Sequence, residues 1–425
     1  MNQEKKNGNL IAIITMCFIF AMISFVTNMA APFGNIWGNT YSWAGMMGNM
    51  MNFAAYLFMG IPAGKMLIKY GYKKTALIAL GVGVIGLIVQ YLSSIFGADI
   101  ETFTYNNQVV ALNLIIYLLG AFICGFCVCM LNTVVNPMLN LLGGGGNKGN
   151  QLIQIGGTLN SLSGTLTPLL VGVLIGQVTA STSMTDVAPL LFIGIAVFTL
   201  SFFIISKVDI PEPQSNTKNE KFEHSPLAFR HCLLGVIAIF FYVGVEIGIP
   251  AQLNFYITNL GFEGSAAIGG TLAASYWFLM LVGRASSSVI SGKISTSTQM
   301  TVVSVVAIIL LLIAILMPDT IVIDFKGNSI PVKCFLIAAC GLCTSIMWGG
   351  IFNLSVEGLG KYTAAASGLF MVMVVGGGIM PLIQDFIAKA TTPITSYWVI
   401  IAMLAYILYY SKIGCKNVNK DIPVE

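Results

Sequence analysis

The chain has 425 residues, of which 56% are hydrophobic and only 8% charged, and its mean hydropathy is +0.87. A soluble domain carries about 25% charged residues, so the composition excludes a soluble globular protein and places the chain in a lipid bilayer. The formal net charge of +4 is no nucleic-acid signature, because the basic residues gather in alternate loops.

The apolar runs predict twelve membrane spans of 16 to 34 residues, where a helix needs roughly 20 to cross. The first six are 10–37, 43–64, 75–96, 109–142, 151–177 and 187–205. The last six are 229–260, 265–289, 302–317, 330–354, 362–388 and 394–410. The first run exceeds a secretory apolar core and no small-residue cleavage site follows it, so it reads as a span. The expected organisation is an all-α membrane protein of two pseudo-symmetric six-helix bundles, 1–206 and 229–425, joined by a polar linker, 207–228. An even number of spans puts both termini on one side. Seventeen of the twenty Lys and Arg fall on that side, leaving Lys326, Lys333 and Lys389 opposite. The termini and the linker are therefore expected in the cytoplasm.

Span 1 carries Asn28 four residues before Pro32, and span 7 carries Glu246 four residues before Pro250. Both pairs are 218 positions apart (28 to 246, 32 to 250). Proline in a helix frees the carbonyl four residues back, here that of Asn28 and of Glu246, so both helices are expected to kink beside a polar side chain. Lys148 and Lys361 each precede a proline, Pro168 and Pro381, by 20 residues, at a shared offset of 213 (148 to 361, 168 to 381). Two such pairs indicate a duplicated half. Matched broken helices in two halves point to a transporter with a central polar site.

Charged groups within the spans are few. Glu246 lies deepest and has the strongest claim to a site or coupling role. Arg284, near the cytoplasmic end of span 8, reads as a gate, and Asp385 lies toward the outer end of span 11. Amides are more plentiful: Asn28, Asn49, Asn52, Asn132, Asn136, Asn140, Gln154, Asn160, Gln252, Asn254 and Asn353. Amides donate and accept, as sugar hydroxyls do, although they also bond helix to helix. Trp348, Trp277 and Tyr276 offer faces for stacking on a sugar ring. Cys124 and Cys127 have redox spacing, but they read as packing residues with no His or acid nearby. The glycine run 143–146 lacks the Lys-Ser/Thr ending of a phosphate loop. No zinc spacing, catalytic triad or cofactor fingerprint is present, so no cofactor and no enzyme activity are expected.

The stretch from Gly60 through Gly64, Lys65, Lys69, Gly71, Lys73 and Lys74 resembles the loop between helices 2 and 3 of the major facilitator superfamily. Leu131 to Pro137 and Thr158 to Ser161 resemble helices 4 and 5 of its fucose permease family. Phe241 to Ile249 resembles helix 7 of the glucose/galactose transporter branch, and Gly358 to Thr363 with Val374 to Leu382 resembles that branch's helices 10 and 11. The resemblance covers the whole chain. It implies a two-bundle fold with a sugar in a central cavity, alternately open to each side of a bacterial inner membrane. In the fucose permease, helix 1 carries an Asp and helix 4 a Glu for proton coupling and sugar recognition. Asn28 and Asn132 stand at those positions here, so both acids are missing and Glu246 remains.

The expectation is therefore a monomeric secondary sugar transporter whose partners are a small sugar and the bilayer, with no nucleic acid. Asn28, Asn132, Asn136, Asn160, Glu246, Gln252, Asn254, Trp348 and Asn353 are the candidate sugar ligands. Asn28, Asn132 and Glu246 are expected to share one cavity. Lys69, Lys73, Lys74 and Arg284 are the candidate gate or interbundle residues. The coupling ion is a proton or sodium at Glu246. The reading leans to sodium held near Asn28 and Glu246, because amides and freed carbonyls suit a hard cation. The rivals are a carrier for another neutral solute, such as a nucleoside or amino acid, and a non-transporting sugar sensor.

Overall fold

The structure is a computed structural model that describes all residues except 1, 42, 46, 176–181, 213–222, 264, 420 and 425. The middle of the expected linker, with Lys218 and Lys221, therefore lies outside the described residues. So do Lys420 and the side chains of Lys5, Lys6, Pro32 and Pro168.

In lipid every backbone group must be paired within the chain, which leaves helices as the economical answer for these apolar runs. Thirteen α-helices are described: α1 (Asn2–Thr40), α2 (Met47–Leu92), α3 (Leu112–Leu142), α4 (Gly146–Ile175), α5 (Ala188–Lys207), α6 (Arg230–Thr258), α7 (Ser265–Ile290), α8 (Thr296–Leu316), α9 (Val332–Thr344), α10 (Met347–Val356), α11 (Thr363–Met373), α12 (Gly376–Ala390) and α13 (Tyr397–Tyr409). They map onto twelve spans. α2 is two spans merged across Gly71, whose φ of 81° and ψ of 178° break the helix in a region open to glycine. Spans 10 and 11 are each split, into α9 with α10 and α11 with α12.

Among the described residues, nine stretches are long and apolar enough to cross a membrane, α2 counting once. α4 and α7 complete the set. They have 30 and 26 residues but are diluted by Gly, Ser, Thr and Asn. These two helices carry Ser161 and Arg284, the polar groups of the site described below.

The breaks between helices do not fall at prolines. α6 continues as one helix through Pro250, and the Tyr397 hydroxyl donates to Ile249 O, just before the proline, at 2.7 Å. The breaks fall instead at Ser345–Ile346 and at Val374–Val375, with no proline at either. Gly376, directly after the second break, lets α12 cross α6, since a Cβ there would collide with Phe240 O.

Two short antiparallel hairpins stand where loops were expected. β1 (Glu101–Tyr105) pairs with β2 (Gln108–Ala111), and β3 (Val322–Phe325) pairs with β4 (Asn328–Pro331). The turn residues Asn106 and Asn107 have φ of 49° and 60°, and Lys326 and Gly327 have 53° and 77°, the positive values that a two-residue hairpin turn demands. The turns lie 220 positions apart (106 to 326, 107 to 327), a third pair in the repeat.

The chain divides into two compact units. The first comprises Met1–Leu139, Leu162–Lys221 and Ser367–Val372; the second comprises Asn140–Ser161, Phe222–Ala366 and Met373–Glu425. In the first, α2 packs on α5 and α1. In the second, α6 is the central helix, in contact with α7, α9, α10, α12 and α13.

Candidate functional site

The second unit holds a buried polar constellation around Arg284, and glycines explain its position. Gly283 and Gly341 lie where α7 crosses α9; a Cβ on the first would collide with Ser345 Oγ and one on the second with Tyr276 O. The crossing sets Arg284, the residue after Gly283, beside the break in span 10. Arg284 Nε donates to Ser345 O at 3.1 Å. Its Nη1 donates to Ser161 Oγ at 2.8 Å and to Gly157 O at 3.3 Å, both on α4. Its Nη2 faces Glu246 Oε1 on α6 at 3.5 Å. Both charged side chains are mostly buried, 11% and 15% exposed. A buried charge is tolerable when it is paired and hydrogen-bonded, and the two together are electrically neutral.

Aromatic side chains line this pair. Tyr242, one turn before Glu246, lies against both Glu246 and Arg284. Its ring meets Trp348 of α10 edge to face, with centroids 6.3 Å apart. The Tyr276 and Thr344 hydroxyls bond at 2.8 Å, and Tyr276 meets Trp277 at 5.4 Å. A neutral ion pair with aromatic edges is chemistry for a hydroxylated, uncharged ligand.

A second layer of amides in the same unit bonds protein to protein. Asn140 Nδ2 donates to Asn353 Oδ1 at 2.6 Å, and Asn353 Nδ2 donates to Thr296 Oγ1 at 3.2 Å. Gln154 Nε2 donates to Ile346 O at 3.0 Å, and Gln151 Nε2 to Ser288 O at 2.9 Å. Asn353 is thus engaged on both sides of its amide. Asn160 is half-buried on α4. Gln252 is buried, its amide 3.5 Å from Asp385 Oδ1, while Asp385 also pairs with Lys389 at 2.6 Å. Asn254 accepts from Thr258 Oγ1 at 3.5 Å.

Other expected ligands lie in the first unit. Asn28 Nδ2 donates to Ser24 O at 2.8 Å and Ser24 Oγ at 3.1 Å, beside Gly164. Asn132 Nδ2 donates to the Tyr56 hydroxyl at 3.0 Å, and Asn136 Nδ2 to Asn132 O at 2.9 Å. Of the lysines in the loop after span 2, Lys73 offers its backbone: the N–H groups of Tyr72 and Lys73 donate to the two Glu212 carboxylate oxygens at 2.8 and 3.1 Å. Lys69 lies over the Tyr70 ring at 5.2 Å, and Lys74 is exposed. α2 approaches the 367–372 stretch at Gly60 and Gly64, where a Cβ on Gly368 would fall 2.7 Å from Gly60 O and 2.9 Å from Gly64 Cα.

Sequence reasoning did not single out Tyr56, Tyr242, Ser345, Glu212 or the Gly60–Gly368 approach. The four-residue spacing of Gly60 and Gly64 was the available signal, a known helix-contact pattern. The others are ordinary residues whose partners lie far along the chain. All nine cysteines are free and eight are buried. Among the described residues no group of three or more His, Cys, Asp or Glu is placed to hold a metal ion.

Comparison with known proteins fits this picture. A sequence profile of the Major Facilitator Superfamily matches residues 11–407. The glucose/galactose transporter of Brucella abortus (strain 2308) is 28% identical over 426 residues, covering 98% of this chain and 96% of that one. The L-fucose-proton symporter of Escherichia coli (strain K12) is 21% identical over 423 residues, covering 93% and 90%. The crystal structure of the E. coli fucose:proton symporter superposes with a TM-score of 0.79 at 18% identity, covering 96% of this chain and 100% of that one. Its fold is therefore the fold of this chain.

Proposed function

Because the chain belongs to the Major Facilitator Superfamily, we propose that it is a secondary sugar transporter, moving a hexose or deoxyhexose by alternating access. The observation that carries this reading is the charge-neutral Glu246–Arg284 pair beside Tyr242 and Trp348. Such a wall suits a polyol and offers no excess charge to an ionic solute. The near-full-length likeness to a glucose/galactose transporter and to a fucose-proton symporter supports the same substrate class. The ligands proposed for the sugar are Asn28, Asn132, Asn160, Glu246, Gln252, Asn254 and Trp348. Asn136 and Asn353 serve better as supports, since Asn136 is fully buried and Asn353 is engaged through both its oxygen and its nitrogen.

The proposed coupling ion is a proton, received at Glu246. Arg284 presents only N–H donors and no lone pair. It uses part of the carboxylate that sodium would need, and sodium would also need several more oxygen ligands in its place. A proton needs one oxygen. The likeness to a proton symporter supports the same choice. The moving bodies are the halves 1–206 and 229–425, in a bacterial cytoplasmic membrane with both termini inside. Uptake of labelled glucose, galactose and fucose into proteoliposomes tests the reading, with a proton gradient, a sodium gradient or neither imposed. Accumulation of one sugar under the proton gradient is expected. Failure of all three sugars to enter or exchange would overturn it.

A further inference from the structure

Arg284 gathers acceptors from three separate stretches of chain. Ser161 Oγ and Gly157 O belong to α4, Glu246 Oε1 belongs to α6, and Ser345 O lies at the break between α9 and α10. Gln154, three residues before Gly157 on α4, takes the other carbonyl at that break by donating to Ile346 O at 3.0 Å. The break is thus held from α7 by Arg284 and from α4 by Gln154, while Arg284 itself holds α4.

Of these four acceptors only Glu246 carries charge. Hydroxyl and carbonyl oxygens satisfy the N–H groups of a guanidinium, but they do not offset its charge away from water. Nor can the guanidinium shed its proton, as a lysine can. While Glu246 is ionised, the side chain rests stably among all four partners. Once Glu246 is neutralised, the head group gains by moving toward water on its long stem. That movement releases Ser161, Gly157 and Ser345 together.

We infer that Arg284 is a positioning residue that relays the charge on Glu246 to α4 and to the break in span 10. With Glu246 ionised, Arg284 pins both; with Glu246 neutral, it lets both go. The identity of the neutralising ion rests on the carrier reading above, whereas the pinning rests on these contacts alone. The relay gives an ion bound at one carboxylate a mechanical consequence on two other elements, as coupling requires.

A disulfide formed between Gln151→Cys and Ser288→Cys reads the packing of α4 on α7 without touching Arg284, since Gln151 Nε2 donates to Ser288 O at 2.9 Å. Its rate of formation under mild oxidation is compared in proteoliposomes for the chain with native Glu246 and Arg284, for Glu246→Gln, for Arg284→Gln and for the double variant. Each single substitution should slow cross-linking roughly tenfold, the scale of a lost charge-assisted bond. The double variant should be no slower than Arg284→Gln alone, because the two residues act in series. Cross-linking unaffected by Glu246→Gln, or effects that simply add, would overturn the relay. Should Glu246→Gln fail to reach the membrane, Arg284→Lys takes its place. An ammonium keeps the charge but not the forked reach, so cross-linking must still slow, and an unchanged rate overturns the relay. Counterflow of labelled sugar in the same vesicles separates the two readings. Its absence in the native pair sinks the carrier reading alone, whereas normal counterflow with charge-independent cross-linking sinks the relay alone.

Discussion

At Glu246 a carboxylate sits in an apolar helix with one cation for a partner, 3.5 Å away. Removing its charge while keeping its shape separates binding from coupling. The Glu246→Gln variant should still exchange labelled sugar across the membrane and should lose accumulation against a gradient. Accumulation at the native level in energised vesicles would place coupling elsewhere. In the first unit, Asn132 bonds Tyr56 while it is proposed to meet the sugar. Asn132→Ala leaves a polar partner unsatisfied on both sides, a cost of about 1–3 kcal/mol. Sugar affinity should fall about fivefold to a hundredfold, and isothermal titration of the purified protein would show it; unchanged affinity would remove Asn132 from the site. At this scale the sequence was legible where chemistry stood out against its surroundings. Glu246 is conspicuous in an apolar run. Ser161 and Ser345 are not, because their link to Arg284 spans 123 and 61 positions and no local spacing encodes it.

Among the elements, the two breaks and the two hairpins were the least legible. Proline is the familiar mark of an interrupted helix, yet α6 runs unbroken through Pro250. Span 10 breaks at Ser345–Ile346, where side chains from α7 and α4 take the carbonyls. Such a break is caused by tertiary partners, so local propensity cannot announce it. The hairpins were hidden in short stretches between long apolar runs. The close approach of α2 to residues 367–372 depends on missing side chains. A Val at Gly368 would press its Cβ to within 2.7 Å of Gly60 O, so Gly368→Val should lower stability by about 1–3 kcal/mol and reduce uptake. Thermal unfolding in detergent and uptake measured on the same preparation check both, and a native melting profile with native uptake would refute the tight approach. Ahead of β3, Asp319 pairs with the buried Lys333 at 2.5 Å and accepts from the Tyr256 hydroxyl at 2.8 Å. The Lys333 hydrogen bond, joined by that from Tyr256, holds the Asp319 carboxyl below its usual range. A depressed carboxyl stabilises the fold above its unfolded value, near 3.9, and that contribution disappears as pH falls through the folded value. Because Asp319 is well exposed, the effect should not exceed about 1 kcal/mol. The native protein should therefore lose melting temperature between about pH 5 and pH 3 more steeply than Asp319→Asn, and parallel curves would show the pair to be energetically silent.

For the molecule as a whole, the scarcity of charge and the repeat carried most of the information. A chain with 8% charged residues has few architectures open to it, and two proline pairs at offsets of 218 and 213 already implied two related halves. The hairpin turns at 106–107 and 326–327 extend the repeat to a third place, at an offset of 220. The proposed orientation rests on a different signal, the distribution of Lys and Arg, and it makes a prediction that neither the repeat nor the fold supplies. Lys73 follows Gly71 in the merged helix α2, whereas Lys326 sits in the β3–β4 turn and is among the three basic residues of the sparse side. Loops rich in Lys and Arg stay on the cytoplasmic side during insertion. A cysteine at position 74, next to Lys73 and exposed, should therefore react with a membrane-impermeant maleimide only after the cell is opened. A cysteine at position 326 should react in intact cells. Cys415 is half-buried and the other eight native thiols are buried, so background labelling should be low, and the native chain measures it. Labelling of position 74 from outside and of position 326 only from inside would invert the proposed orientation. It would place the Arg284-bearing end of α7 on the outer face, whereas the direction of net sugar movement would still follow the ion gradient.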